Sequence, residues 1–307
     1  MKIPRRSFLI ATPGLALGLR RFALAQIPFE RGRFGNDDLP LARAELLELV
    51  NAERAAAGLT ALQLDELACK VANEHALDMA ARDFLSHWGS DGLKPYHRFS
   101  FAGGIDAVQE NVSQAHHIAS VTPPGVRADL RVMHTKMHDE VPPNDGHRRS
   151  ILAPQNTHAG FGITLNEYSV SLVELYVARY LKLDSIHMES KRKTSVTLTG
   201  KFYDTTHFLQ QVDVFYEPLP QPPGVDWLRQ PRPYSMPDDR VALRPKVPKG
   251  LFYSDHTTGD FDWGYGEFKV PVKLFRNTPG IYTVVFWIRR VPDEKAFPVT
   301  GICIISD

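Results

Sequence analysis

Residues 168–180 read YSVSLVELYVARY, and this stretch sets the character of the first half of the chain. From Val170 to Ala178 every second residue is apolar except Glu174, which is the spacing of a β-strand with a buried face. Residues 160–165 predict a second strand just before it. Glu174 either faces a cleft or lies at a sheet edge, and the sequence leaves both positions open.

Three helices are predicted before these strands, over residues 39–58, 65–83 and 127–140. Their apolar residues recur at three- and four-residue spacings, which is the pattern of a helix with one buried face. In the first of them, Gly58 stands where the C-terminal cap of a helix is expected. Because the helices come first and the strands follow, the order favours an α+β layer fold over a parallel βαβ sheet.

The second half of the chain is predicted to be a separate β-sandwich domain, residues 195–307. Residues 184–194 are polar and charged, and we interpret them as the linker from the first domain, residues 39–183. The predicted strands of the second domain occupy residues 195–202, 209–216, 268–275, 281–289 and 299–305.

A proline-rich stretch interrupts these strands. Residues 217–250 contain nine prolines, which cannot donate to the hydrogen-bond ladder of a central strand. We therefore expect a long, stiff excursion over the surface. Five aromatic residues lie in or near this stretch. They are either a platform that binds a sugar or a protein partner, or ordinary side chains that pack in the core and anchor loops. They are Trp227, Tyr234, Tyr253, Trp263 and Tyr265.

Composition excludes several classes of protein. The chain has 307 residues, 43% of them apolar, and a formal net charge of +1, so it is neither disordered nor polybasic. Without residues 1–25 it holds 31 basic and 35 acidic residues, which argues against nucleic acid as a partner. The two cysteines, Cys69 and Cys303, lie in different predicted domains and are expected to be buried free thiols.

The first 25 residues predict an export signal. They combine a basic start, a short apolar stretch and Ala23-Leu24-Ala25 as a small-residue cleavage site. Arg5-Arg6 before Ser7-Phe8-Leu9 resembles the twin-arginine signal; an ordinary secretory signal is the alternative. The apolar run is shorter than the ~20 residues of a membrane span, so no transmembrane anchor is expected. The mature protein is predicted to be periplasmic or extracellular.

Four short motifs in the first domain carry two histidines and two carboxylates. A single histidine or glutamate is usually structural, but four motifs in this order are more specific. The motifs are Ser86-His87-Trp88, Gln109-Glu110-Asn111-Val112, Met137-His138-Asp139-Glu140 and Gly146-His147-Arg148-Arg149-Ser150-Ile151-Leu152.

In this order the motifs resemble the SCP domain of the CAP superfamily, over residues 39–183. The resemblance implies an α-β-α sandwich with a central cleft, in which His87 and His147 face each other. Glu110 matches the glutamate of the family's Glu-Asn motif, and Glu140 is the candidate for the second glutamate. Two imidazoles could bind zinc or another divalent cation directly, with the two carboxylates acting through water.

The resemblance implies a binding or interaction protein at the cell envelope or outside the cell, with a lipid, a peptide or a cell-wall component as possible ligands. The alternative is a metal-dependent, peptidase-like hydrolase in which Glu110 or Glu140 acts as general base. A hydrolase with Ser86 as nucleophile beside His87 is a weaker variant. His75 and His134 lie on apolar helix faces and are predicted to be core histidines, while His134 with His138 is the reserve metal site.

Overall fold

The computed structural model describes residues 38–117, 122–189, 195–276, 278–290 and 294–306. The predicted export signal lies outside the described residues. The helices of the described chain are α1 (Asp38–Ala56), α2 (Glu66–Arg82), α3 (Pro95–Phe101), α4 (Pro123–His138), α5 (Gly146–Ile151) and α6 (Val225–Leu228).

The N-terminal region, residues 38–180, is built around a four-stranded sheet in the order β1-β3-β4-β2. Its strands are β1 (Gln63–Leu64), β2 (Ala107–His116), β3 (His158–Leu165) and β4 (Ser169–Ala178). Only β1 and β3 are parallel; β4 pairs with β2 and β3 in antiparallel fashion.

Helices cover both faces of this sheet. Leu172 and Tyr176 pack with α1 and α4 in one hydrophobic cluster, whereas Val173 and Leu175 pack with α2 in another. The strand predicted from the alternation is confirmed, and all ten residues of β4 are buried because helices pack on both faces. The α+β fold class and the α-β-α sandwich are confirmed.

Helix α2 lies directly on β3. Asp65 caps the helix, accepting a hydrogen bond from the Ala68 backbone N–H at 2.6 Å. A Cβ atom at Gly160 or Gly162 would collide with the α2 backbone, so these two glycines permit the close approach. The sequence of β3 thereby fixes the position of α2, and with it the loop that carries His87.

The C-terminal region, residues 181–306, contains two sheets in the orders β5-β6-β10-β9 and β12-β11-β7-β8, with β13 also paired to β11. One apolar cluster draws residues from both sheets, among them Val196, Val270, Val212 and Phe286, which confirms a β-sandwich. The strands are β5 (Leu181–Glu189), β6 (Ser195–Phe202), β7 (Phe208–Pro218), β8 (Arg240–Leu243), β9 (Asp262–Gly264), β10 (Glu267–Lys273), β11 (Gly280–Arg289), β12 (Phe297–Pro298) and β13 (Ile302–Ser306).

Two predictions about this region need correction. Residues 184–189 of the predicted linker belong to β5, which pairs with β6, and residues 190–194 lie outside the described residues. The proline-rich stretch is not only a surface excursion, because Leu228 within it is fully buried in the cluster around α2. Polarity and proline content alone do not show where a segment packs.

Both cysteines are free. Cys69 is buried as predicted, while Cys303 is half-buried. Among the described residues, no helix is both long and apolar enough to cross a membrane.

Candidate functional site

His87 and Glu110 form one side of the candidate site. His87 lies in the loop after α2, and Glu110 lies on β2, with 3.1 Å between His87 Nδ1 and Glu110 Oε1. The other carboxylate oxygen of Glu110 accepts a hydrogen bond from Arg98 Nη2 at 2.6 Å. Burial acts against the charged carboxylate, but Arg98, His75 and His87 lower the pKa of Glu110 to about 2. Glu110 is therefore a fully ionised, fixed partner for the His87 ring.

His147 and Glu140 form the other side. His147 lies in the first turn of α5, and Glu140 follows the end of α4. The Glu140 carboxylate binds His147 twice: Oε1 contacts Nδ1 of the ring, and Oε2 accepts the backbone N–H at 2.9 Å. Each candidate histidine thus has one carboxylate on Nδ1, which fixes the orientation of its ring.

The two imidazole rings face each other across the site. Their centroids are 6.4 Å apart, with 43° between the ring planes. The side chains are 19% exposed for His87 and 31% for His147. Within the part of the chain that the structure describes, neither Nε2 atom has a hydrogen-bond partner. Two oriented ring nitrogens are thus available to a ligand.

This donor set fits a divalent cation with two protein ligands. A tetrahedral zinc ion with Zn–N bonds of about 2.0–2.1 Å would place two imidazole centroids about 5 Å apart, so the rings need to approach by about 1 Å. The described residues contain no group of three or more His, Cys, Asp or Glu placed to hold a metal ion. Water must therefore complete the coordination of any ion bound here.

Arg98 and Asn111 support the site, although no sequence motif assigned a role to either residue. Arg98 Nη1 donates to the carbonyls of His87 at 3.0 Å and Leu93 at 2.8 Å, so it joins the His87 loop to Glu110. Asn111 Nδ2 lies 3.2 Å from both the His147 carbonyl and Glu174 Oε2. The only available signal was position, since Arg98 follows His87 closely and Asn111 adjoins Glu110.

His134 lies in a second histidine–glutamate cluster, behind the sheet. Its Nδ1 is 2.6 Å from Glu174 Oε1 and its Nε2 is 2.8 Å from Glu53 Oε2, so both ring nitrogens are occupied. Burial opposes its charge, but Glu174 and Glu53 raise the pKa of His134 to about 10. The core position predicted for His134 is confirmed, and Glu174 faces it. His138 is 3.7 Å from Glu53 and binds Asp139 at 2.9 Å.

Ser86 lacks the geometry of a nucleophile. Its hydroxyl accepts a hydrogen bond from the Trp88 backbone N–H at 3.1 Å, and its carbonyl oxygen is 2.8 Å from His75 Nε2. His75 is buried, as predicted. Both residues hold the turn that presents His87.

Tyr234, from the proline-rich stretch, covers His87. The two ring centroids are 4.6 Å apart, and the phenol oxygen accepts the Glu110 backbone N–H at 2.9 Å. Burial raises the pKa of Tyr234 to about 12. Of the other aromatic residues, Trp227 also contacts the N-terminal region, whereas Trp263 packs on Phe208 and Tyr253 binds the Pro245 carbonyl. The five aromatic residues named from the sequence therefore form no single platform.

Known proteins resemble the N-terminal half of the chain. The uncharacterized protein YkwD of Bacillus subtilis (strain 168) is 30% identical over 119 residues, which are 38% of this chain and 40% of that protein. The chain thus matches less than half of that relative's length. An outer surface protein of Borrelia burgdorferi is 16% identical, with a TM-score of 0.37, over 47% of this chain and 94% of that one. An extracellular SCP-domain protein of Bacillus anthracis str. Ames is 20% identical, with a TM-score of 0.34, over 46% of this chain and 41% of that one.

A family model matches the same half. The model describes the CAP, or cysteine-rich secretory protein, family and covers residues 47–180, which include all four residues of the candidate site. Residues 47–180 of this chain form a CAP domain of the cysteine-rich secretory protein family.

Proposed function

We propose that this chain is an exported binding protein whose CAP domain holds a divalent cation, zinc foremost, between His87 and His147. The observation that carries the proposal is the pair of facing rings, each oriented through Nδ1 by a carboxylate and each with Nε2 available. Carboxylates in this position raise the basicity of a ligating imidazole and fix its tautomer. A bound cation would supply a positive centre that attracts an anionic or carbonyl oxygen of a ligand.

The site favours binding over hydrolysis. A general base works best when its pKa lies near the working pH, whereas the pKa of Glu110 is lowered to about 2 and both of its oxygens are engaged by Arg98 and His87. Its side chain is also 1% exposed, which leaves no room for an attacking water beside it. Glu110 therefore acts as an orienting residue, and so does Glu140, through its double contact with His147.

The compartment and the ligand class are further parts of the proposal. The twin-arginine-type sequence at Arg5-Arg6 supports export to the periplasm or the exterior. The acidic balance of the chain without residues 1–25 makes nucleic acid an unsuitable partner. A lipid, a peptide or a cell-wall component carrying an oxygen donor fits a cation in the cleft.

Calorimetric titration of the chain without residues 1–25 with zinc tests the proposal. We expect one ion per chain, binding at least 10-fold weaker in His87→Ala or His147→Ala, and no measurable binding in the double variant. His256→Asn is the matched control, because His256 lies at an exposed turn with φ of 64°, which asparagine tolerates. Zinc uptake by the double variant equal to that of the unmodified chain contradicts the proposal.

A further inference from the structure

Residues 229–237, RQPRPYSMP, are called here the proline segment. Its three prolines, Pro231, Pro233 and Pro237, fix their own φ near −65° and keep the preceding residues out of the helical region. The structure shows no helix or strand across it. Arg229 ends α6 in helical geometry, whereas the three prolines restrict the backbone that follows it. This part of the segment therefore loses less conformational entropy than a flexible chain when it binds a surface.

The proline segment lies on the CAP domain and makes directional contacts with it. The Trp88 indole N–H donates to the Pro233 carbonyl at 3.1 Å, and the Glu110 backbone N–H donates to the Tyr234 hydroxyl at 2.9 Å. Lys94 Nζ lies 3.4 Å from the Ser235 carbonyl. Three consecutive residues of the segment are thus each bound by a donor of the CAP domain.

These donors line one groove. Strand β2 is an edge strand, so a backbone N–H on its outer side needs a partner other than a strand, and Tyr234 supplies it for Glu110. Trp88 forms the floor, with Lys94 Nζ 5.0 Å from its ring centroid. His87 forms the wall beneath the Tyr234 ring.

The segment is anchored at its N-terminal end, and a residue of β7 fixes the Lys94 side chain that contacts it. On the N-terminal side, Leu228 is fully buried beside α2, and Arg229 binds Asp83 through a carbonyl at 2.9 Å and a carboxylate at 3.1 Å. From β7, Glu217 contacts Lys94 at 2.7 Å and Tyr96 Oη at 3.1 Å. The middle of the segment is exposed at Pro231, Arg232 and Pro233.

This arrangement has the chemistry of polyproline recognition: a ligand stiffened by prolines, an aromatic floor, and an indole N–H that donates to a backbone carbonyl. We propose that the groove of Trp88, Lys94, His87 and the outer edge of β2 is a recognition site for proline–tyrosine peptides. In this chain its own proline segment fills the site. When that segment is released, the groove binds a peptide of the same chemistry from another chain.

The tethered segment competes strongly with any external peptide. A ligand on a short linker acts at an effective concentration of the order of millimolar. A free peptide therefore binds the unaltered chain poorly even if the groove recognises it well. The recognition site shares His87 with the proposed cation site, so peptide binding is measured both with zinc and in the presence of a chelator.

Fluorescence anisotropy with a labelled synthetic peptide of residues 229–237 tests the inference. The released variant is the full chain with Pro231→Gly, Pro233→Gly and Tyr234→Ala, which removes the rigidity and the phenol of the tethered segment. We expect it to bind the peptide at least 10-fold tighter than the unaltered chain does. Adding Trp88→Phe, which keeps an aromatic floor but removes the N–H, should lower this affinity about 10-fold.

A scrambled peptide of the same composition is the matched control. If the folded released variant binds both peptides equally, the inference is wrong.

A second measurement applies even if the released variant does not fold. It compares hydrogen exchange of the Glu110 amide in Tyr234→Phe with that in Tyr253→Phe as control. We expect exchange at least 10-fold faster in Tyr234→Phe alone, because the amide loses its acceptor; unchanged exchange overturns the inference.

Discussion

The cleft and the core of the CAP domain use the same two residue types in different ways. In the cleft, His87 and His147 each contact one carboxylate through Nδ1 and are partly exposed. In the core, His134 is fully buried and contacts Glu174 and Glu53 through both ring nitrogens. One additional carboxylate per imidazole separates the two situations.

The difference shows what makes a histidine–glutamate pair available to a ligand. With two carboxylates and no solvent, an imidazole is held as a cation and has no lone pair to give, so the pair is a structural ion pair. With one carboxylate and an open side, the ring is oriented but keeps a nitrogen for a ligand. Both sites consist of histidine and glutamate, so residue type does not distinguish them. The number of carboxylates that contact each imidazole ring does.

The largest expected effect is on stability, in His134→Ala. Removing the imidazole leaves Glu174 and Glu53 without their cationic partner, and breaking a buried ion pair costs about 3–5 kcal/mol. His87→Ala is the matched comparison and should cost about 1 kcal/mol or less, since its ring is partly exposed and its partner Glu110 keeps Arg98. Urea unfolding of the two variants measures both values. Equal losses would remove the distinction between core and cleft.

The pH dependence of stability sharpens the same distinction. Folding raises the pKa of His134 from 6.5 to about 10, so its contribution is complete below pH 6.5 and is lost as the pH rises through 10. We expect the free energy of unfolding to fall by about 1 kcal/mol or more between pH 7 and pH 10. The fall should be much smaller in His134→Ala. A curve of the same shape in both proteins contradicts the charged state of His134.

A smaller effect is expected in Glu140→Gln. The amide keeps a contact with His147 but removes the carboxylate charge, and loss of such a partner typically weakens metal binding about 10- to 100-fold. Stability should change by about 0.5 kcal/mol or less, because the Glu140 side chain is partly exposed. Zinc titration by calorimetry and urea unfolding on the same sample separate the two effects. Unchanged zinc affinity would show that Glu140 does not support the site.

Much of the CAP domain could be predicted from the sequence, because its elements carry local signals. Helix α2 begins after the Asp65 cap, and the alternation in β4 predicted a strand, although it did not show burial on both faces. His87, Glu110 and His147 were identified as candidates from their motifs. Glu140 was identified from its position shortly before His147.

The contacts that complete the site are long-range, and no local pattern along the chain signals them. Tyr234 is 147 positions from His87 along the chain, yet their rings are 4.6 Å apart. The partner of Glu174 was likewise hidden, because His134 lies on a different element, 40 residues away in sequence. Proline content predicted that residues 217–250 would be stiff, but the surface that binds them depends on the edge of β2, which exists only in the folded sheet.

The most direct test of the difference between cleft and core is a long-range ¹H–¹⁵N NMR spectrum of the histidine rings during zinc titration of the chain without residues 1–25. One equivalent of zinc should shift the Nε2 resonances of His87 and His147 and leave both ring nitrogens of His134 unchanged, because only the cleft rings have a nitrogen to give. A shift at His134 or His138, or no histidine shift at saturating zinc, would contradict this account.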